Sequence, residues 1–259
     1  MKKVSILLLI FSLFAFFAGR GLVIAKEKQE IPEVDGIYND PEHPGIKVRV
    51  FVHKEKPARS VSSSLVCGLP DPGSSALVSA AGWHLPSSWT YNLNTSNVPS
   101  SVGSLNLPTF TNIALTSWSG ASGNKVVFTK GVDTNTNRQA YDGRNIIAWG
   151  STQGSALAVT YVRYIPSTGQ TVDVDTIMNK KWSWSWTNQS SNPTCALSNT
   201  YDAQDILTHE LGHWMGLDDE YTNSYVDNTM YGYGSKAEIK KDTLSTGDVN
   251  GVSAIYSSF

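Results

Sequence analysis

Two cysteines and five histidines are all the soft metal ligands in this 259-residue chain, which excludes a cysteine-rich zinc module and a disulfide-dense mini-protein. Charge is sparse as well. Twenty Lys and Arg stand against 22 Asp and Glu, for a net charge of −2, with no basic block. Nucleic acid is therefore not an expected partner. No apolar run reaches the ~20 residues that a membrane span needs. The longest, Val4 to Ala18, has fifteen residues; it follows Met1-Lys2-Lys3 and ends at Gly19-Arg20-Gly21. A basic start and a short apolar core make a signal peptide. Small residues in Val23-Ile24-Ala25 place the cut after Ala25, so residues 1–25 are read as the signal peptide of a secreted, extracellular chain with no stable membrane partner. Leu22 to Ala25 prolongs the apolar stretch, and an uncleaved anchor is the alternative.

About 230 residues remain, enough for one domain and a tail, expected to be a monomer. Residues 26–76 begin rich in charge and proline, with one strand pattern, Ile46 to Val52, and read as a pro-segment or N-terminal extension. Residues 77–259 read as the folded domain. Ser88 to Leu93 alternates like a strand, and Leu107 to Trp118 places Phe110, Ile113, Ala114 and Trp118 on one helical face. Lys125–Thr129, Asn145–Trp149, Ser155–Ile165 and Thr171–Ile177 follow as strands. A helix between strands implies a crossover, hence a partly parallel sheet.

The most informative stretch runs from Ile206 to Asp219. His209 and His213 are four apart with Glu210 beside the first, so on a helix both imidazoles share a face and can meet one metal ion. This is the HExxH arrangement of a zinc site, with Glu210 near enough to a water held there to act as general base without being a ligand. A third protein ligand is required. A helix continued to Asp219 would carry it ~15 Å from His209, whereas ligands of one zinc lie within ~4 Å. Gly216 supplies the stop that lets the chain fold back. Asp219 is then the candidate third ligand, with Asp218 and Glu220 as alternatives. Asp202 and Asp205 lie in the first turn of this helix, where carboxylates meet the positive end of its dipole.

His209-Glu-x-x-His213-x-x-Gly216-x-x-Asp219 resembles the metzincin metallopeptidase signature, with aspartate where most members carry a third histidine, as in snapalysin-type metzincins. Thr229-Met230-Tyr231-Gly232 is similar to the methionine turn beneath the zinc, and methionine followed at once by tyrosine resembles the matrixin branch. Leu244 to Tyr256 looks like the matrixin C-terminal helix, with Ser245 and Asp248 as a capping pair and Gly247 where matrixins usually have an aspartate. The resemblance implies an α+β fold, a twisted, mainly parallel five-stranded sheet with three helices. It also implies a zinc-dependent endopeptidase whose peptide or protein substrate adds to the edge strand of the sheet. Met230 would be a structural floor, and residues 231–243 would wall the substrate pocket. Leu157-Ala158 matches the start of the edge strand, but Val159 stands where a structural-zinc histidine would be, and no histidine lies between Leu85 and Thr208. One catalytic zinc is expected.

Three features stay open. In an exported chain Cys67 and Cys195 suggest a disulfide. Alternatively, Cys67-Gly-Leu-Pro-Asp71 resembles the matrixin cysteine switch of a zymogen, with Val66 in place of the usual arginine. Asp133-x-Asn135-x-Asn137 starts like a Ca²⁺ loop but lacks its glycine and closing glutamate, and reads as a polar turn with calcium possible. Trp182, Trp184 and Trp186 alternate, so they form either core or an aromatic platform. The platform would make the chain an inactive or carbohydrate-binding module on the same scaffold.

Overall fold

The computed structural model describes residues 30–56, 62–187 and 194–257. The expected signal peptide, residues 1–25, lies outside them. In chain order the elements are β1 (Gly36–Asn39), β2 (Lys47–Glu55), β3 (Leu65–Val66), β4 (Ser88–Leu93), α1 (Leu107–Ala121), β5 (Val127–Lys130), β6 (Ile146–Gly150), β7 (Ala156–Ile165), β8 (Gln170–Asn179), β9 (Trp184–Ser185), β10 (Ala196–Leu197), β11 (Tyr201–Asp202), α2 (Ala203–Trp214), β12 (Tyr233–Gly234) and α3 (Thr246–Tyr256). No helix among the described residues is long and apolar enough to cross a membrane.

The main sheet runs β1-β2-β7-β8-β6-β4-β5, with β12 added beside β2. The class is α+β with three helices, as expected, but the sheet has eight strands and is mixed. Pairs β8/β6, β6/β4 and β4/β5 are parallel, whereas β7/β8, β2/β7 and β1/β2 are antiparallel. The reason is local. Only Pro166 to Gly169 separate β7 from β8, and so short a link closes a hairpin rather than a crossover. The three further strands are β1, β2 and β12. Two of these come from the segment read as an N-terminal extension, and that segment completes the sheet instead of lying apart from it.

The helices cover one face of the sheet. Leu107, Phe110, Ala114, Leu115 and Trp118 of α1 recur at helical spacing and are all buried, while Ile113, expected among them, lies at the margin. Each such side chain contributes ~1.5–3 kcal/mol on burial. Pro108 at the first turn needs no hydrogen-bond partner and starts the helix. The other face carries a smaller apolar layer that includes Val48, Val50, Val159 and Ile177. Strand β2 feeds both layers by its two-residue period: Val48 and Val50 point one way, and Phe51 points into the helical side.

Every residue of α2 is buried, so its position is fixed by packing on all sides. Asp202 caps its start, the carboxylate accepting from the Gln204 and Asp205 amides at 2.9 and 3.2 Å. Gly216 ends it at φ +97°, a conformation glycine adopts freely, and any Cβ there would sit 2.2 Å from the Trp83 carbonyl oxygen. Helix α3 opens with a capping box in which Ser245 and Asp248 exchange hydrogen bonds.

Cys67 and Cys195 are joined, Sγ–Sγ 2.06 Å, beside the short β3/β10 ladder. A sulfur so bonded has no thiolate to offer a metal, which removes Cys67 as a switch. The three tryptophans do not form an exposed platform. Trp184 is buried among Trp149 and Tyr201, and Trp182 and Trp186 pack partly buried against the same core. Only Trp184 of the three lies in a strand, so the alternation that would put them on one face is not realised.

Candidate metal centre

Helix α2 brings His209 and His213 to one side, and the chain reversal at Gly216 returns Asp219 to them. His209 Nε2 lies 3.2 Å and His213 Nε2 3.7 Å from Asp219 Oδ1. With zinc–ligand distances of ~2.0–2.1 Å, two ligands of one tetrahedral ion stand about 3.4 Å apart, so these atoms are at ligand spacing. All three are buried and none has a hydrogen-bond partner. Three unpartnered polar atoms converging on one point are costly unless something binds them.

The opposite ring nitrogens are held. His209 Nδ1–H donates to the Thr229 carbonyl at 2.8 Å, and His213 Nδ1–H donates to the Leu217 carbonyl at 3.0 Å. Each bond fixes the tautomer that leaves the Nε2 lone pair free for a cation, the outer-shell pattern of metal-ligating histidines. Of the alternative ligands, Asp218 is turned outward to Arg49 at 3.4 Å, and Glu220 accepts from the Ser79 amide at 3.0 Å. Neither reaches the imidazoles.

Met230 is fully buried under the helix, its sulfur where a Cβ on Gly212 would be, at 2.2 Å. Asp248 secures this turn from α3, accepting from the Thr229 and Met230 amides at 2.9 and 3.1 Å. The methionine turn therefore carries the carbonyl that orients His209.

Glu210 is buried between two partners. Thr160 of β7 donates to its Oε2 at 2.6 Å, and the Nδ1–H of His53, on β2, reaches its Oε1 at 2.9 Å. The hydroxyl of Thr160 belongs to a chain: Trp214 Nε1–H donates to Thr176 at 2.9 Å, and Thr176 lies 2.7 Å from Thr160. The ionised carboxylate only accepts, so Thr160 spends its one hydrogen on it and must accept from Thr176, which in turn accepts from the indole.

Burial pushes the Glu210 carboxyl up to about 7, against the pull of His209 and the Thr160 hydroxyl. Burial holds His213 down to about 3 and His53 well below the usual imidazole range. Burial alone would also lower His209, but Asp219 beside it carries it upward. Asp219 is pulled by the imidazoles of His213 and His209, against burial, to about 2. His213 and Asp219 are thus held in the forms that bind a divalent ion, a neutral imidazole and an ionised carboxylate, whereas Asp219 favours a proton on His209 that a bound cation would displace.

Sequence reasoning missed His53, Phe51 and Thr160. Phe51 stacks flat on His213, ring centroids 3.6 Å apart and planes within 7°. His53 lies 4.0 Å from the His209 ring. The nearest sequence signal is the alternation of Ile46 to Val52, which, carried on to Glu55, puts Arg49, Phe51 and His53 on one face. The Ca²⁺ reading is different: Asp133 is paired with Lys130, and no group of three His, Cys, Asp or Glu ligands forms around it among the described residues.

A buried HExxH helix, a carboxylate returned by a glycine stop and a methionine floor define a mononuclear metallopeptidase centre of the metzincin class. Comparison with protein families matches the matrixin family to residues 83–257, and the chain belongs to it. That family supports zinc metalloendopeptidase activity in general, and zinc as the cofactor. No curated protein matches the chain.

Proposed function

We propose that the chain is an exported zinc endopeptidase, made with an N-terminal pro-segment, in which Glu210 is the general base for peptide-bond hydrolysis. The observation that carries this reading is the convergence of His209 Nε2, His213 Nε2 and Asp219 Oδ1, all buried and unpartnered. These three would hold the zinc, which when bound polarises the scissile carbonyl and makes water more acidic. Glu210 Oε2 is engaged by Thr160 and Oε1 by His53 of β2, so once β2 has left, Oε1 is the atom that would take the water proton and later deliver it to the departing amine. A carboxyl held near 7 is well placed to do both. Strand β7 presents an extended peptide with backbone partners once its β2 neighbour is gone. Export rests on the short apolar run Val4–Ala18 after a basic start.

The test is cleavage of casein by the purified chain after brief trypsin treatment and quenching, with and without a zinc chelator, alongside metal analysis. We expect one zinc per chain and chelator-sensitive cleavage. Glu210→Gln should keep the zinc and lose cleavage by ~10²–10⁴-fold. Undiminished cleavage by that variant would refute the role of Glu210.

A further inference from the structure

Strand β2 lies against β7 from Lys47 to Lys54, along the strip where an extended peptide would add, so the side chains seated there show what that strip accepts. Two of its cations reach the segment that follows the metal helix. Arg49 Nη2 lies 3.4 Å from Asp218 Oδ1. Lys54 Nζ lies 4.4 Å from the centre of the Tyr221 ring and 3.4 Å from its hydroxyl. Both receiving residues belong to one short run, Asp218-Asp219-Glu220-Tyr221. Lys47 and Glu55 turn elsewhere, to Asn39 at 2.7 Å and to the Tyr201 hydroxyl at 3.3 Å.

That run is held in place without β2. The Asp218 amide donates to the Ser79 carbonyl at 2.9 Å, and the Glu220 amide to the Met230 carbonyl at 3.0 Å. The Gly232 amide returns a bond to the Glu220 carbonyl at 2.9 Å. A Cβ on Gly232 would meet Tyr221 Cε1 at 2.5 Å, so the bare backbone there is what admits the ring. Tyr233 packs at 75° to that ring with centres 5.3 Å apart, and Tyr221 donates its hydroxyl hydrogen to Asp219 Oδ2 at 3.0 Å. A fixed aromatic face attracts a cation within ~6 Å of its centre. Asp218 is 41% exposed at its side chain, and Arg49 is its ion-pair partner among the described residues. Asp35, the other partner of Arg49, belongs to the same N-terminal segment. Displacing β2 therefore removes the cation from Asp218 and from Tyr221 together.

We propose that Asp218 and Tyr221 form a paired subsite for cations of the substrate, selecting extended peptides with Lys or Arg at two positions five residues apart. The inference rests on the zinc-endopeptidase reading above. Five steps along a strand span ~16 Å. In a regular strand an odd spacing would point the two side chains to opposite faces. The irregularity between His53 and Lys54 re-aims the second, and both come to the same run.

The test is digestion of a random-sequence peptide mixture by the full chain after the same brief trypsin treatment and quenching. Fragments are read by mass spectrometry, and only cuts that a zinc chelator abolishes are counted. Lys or Arg is expected ~3-fold above its share of the mixture at each of two positions five residues apart. Asp218→Asn should level one preference and Tyr221→Leu the other, whereas Tyr221→Phe, which keeps the ring, should retain both. Chelator-sensitive cuts with no basic preference, or with one that neither Asp218→Asn nor Tyr221→Leu alters, overturn the proposal and leave the peptidase reading standing. No chelator-sensitive cut at all overturns both. Should Tyr221→Leu fail to fold, the Asp218→Asn profile decides by itself.

Discussion

Gly212 sits inside α2, one residue before His213, a proposed zinc ligand, and two rules make opposite predictions for Gly212→Ala. Helix propensity favours alanine over an interior glycine by ~1 kcal/mol. Packing opposes it. The new Cβ would meet Met230 Sδ at 2.2 Å and Trp118 Cζ2 at 2.9 Å, well inside the ~3.5–4 Å optimum for such contacts. Neither neighbour is free to withdraw, since Trp118 is buried and donates to the Thr208 carbonyl at 2.8 Å, and the Met230 backbone is held by Asp248. Overpacking of this kind costs ~1–3 kcal/mol, with a contact this close toward the upper end, so after the propensity gain the variant should be destabilised by up to ~2 kcal/mol. Urea unfolding of the metal-free chain measures it. The same shift moves the Thr229 carbonyl that orients His209, and zinc affinity should fall ~10- to 100-fold, as for other outer-shell changes. Met230→Ala removes the obstructing atoms, so a double-mutant cycle should show favourable coupling of ~1 kcal/mol or more. A Gly212→Ala chain more stable than the native one, with no coupling to Met230, would refute the claim that the glycine exists to admit the sulfur.

Asp219→Ala should lower zinc affinity at least ~100-fold by chelator competition, whereas Asp218→Ala should change it little; the reverse result would reassign the third ligand. Breaking the disulfide that spans 128 residues, by Cys67→Ser, should cost ~5 kcal/mol of stability in the chain-entropy view, read as a shift in urea midpoint; an unchanged midpoint would contradict it. Asp202 is raised to about 7 by burial and the neighbouring Asp205 charge, so its folded form binds a proton more tightly than the unfolded chain does at 3.8. Its stabilising contribution is complete below that lower value and disappears as pH rises through about 7. Asp202→Asn, which keeps the capping oxygen, should therefore gain on the native protein between about pH 4 and 7, by at most ~1.4 kcal/mol per unit; parallel stability curves would count against this.

The convergence of His209, His213 and Asp219 was legible because helical pitch and a glycine stop are local rules: Gly216 turns the chain so that Asp219 returns to the two imidazoles. The cap at Ser245 was readable for the same reason, whereas Asp202, read as a first-turn carboxylate, is the cap just ahead of that turn. Pairing was harder to read. The strands β4 to β8 were anticipated, yet the hairpin between β7 and β8 was signalled only by the shortness of Pro166 to Gly169. The alternating tryptophans suggested one face because periodicity was assumed where the chain is mostly irregular. His53 was the least legible, for it acts across 157 residues on Glu210, and a charged, proline-containing stretch gives no local hint of what it will pair with. Burial of an isolated histidine is a tertiary fact.

The hydroxyl chain running from Trp214 through Thr176 and Thr160 to Glu210 has a single sense, set by an ionised carboxylate that can only accept and matched by a ring nitrogen that can only donate. Polarity is thus written at one end and read at the other, on two residues of the same helix, after a detour through the middle of the sheet. A valine at position 176 would leave the catalytic groups in place yet strand the Trp214 N–H and remove the donor to the Thr160 oxygen, so the support of the carboxylate is inherited from a residue that never meets the substrate.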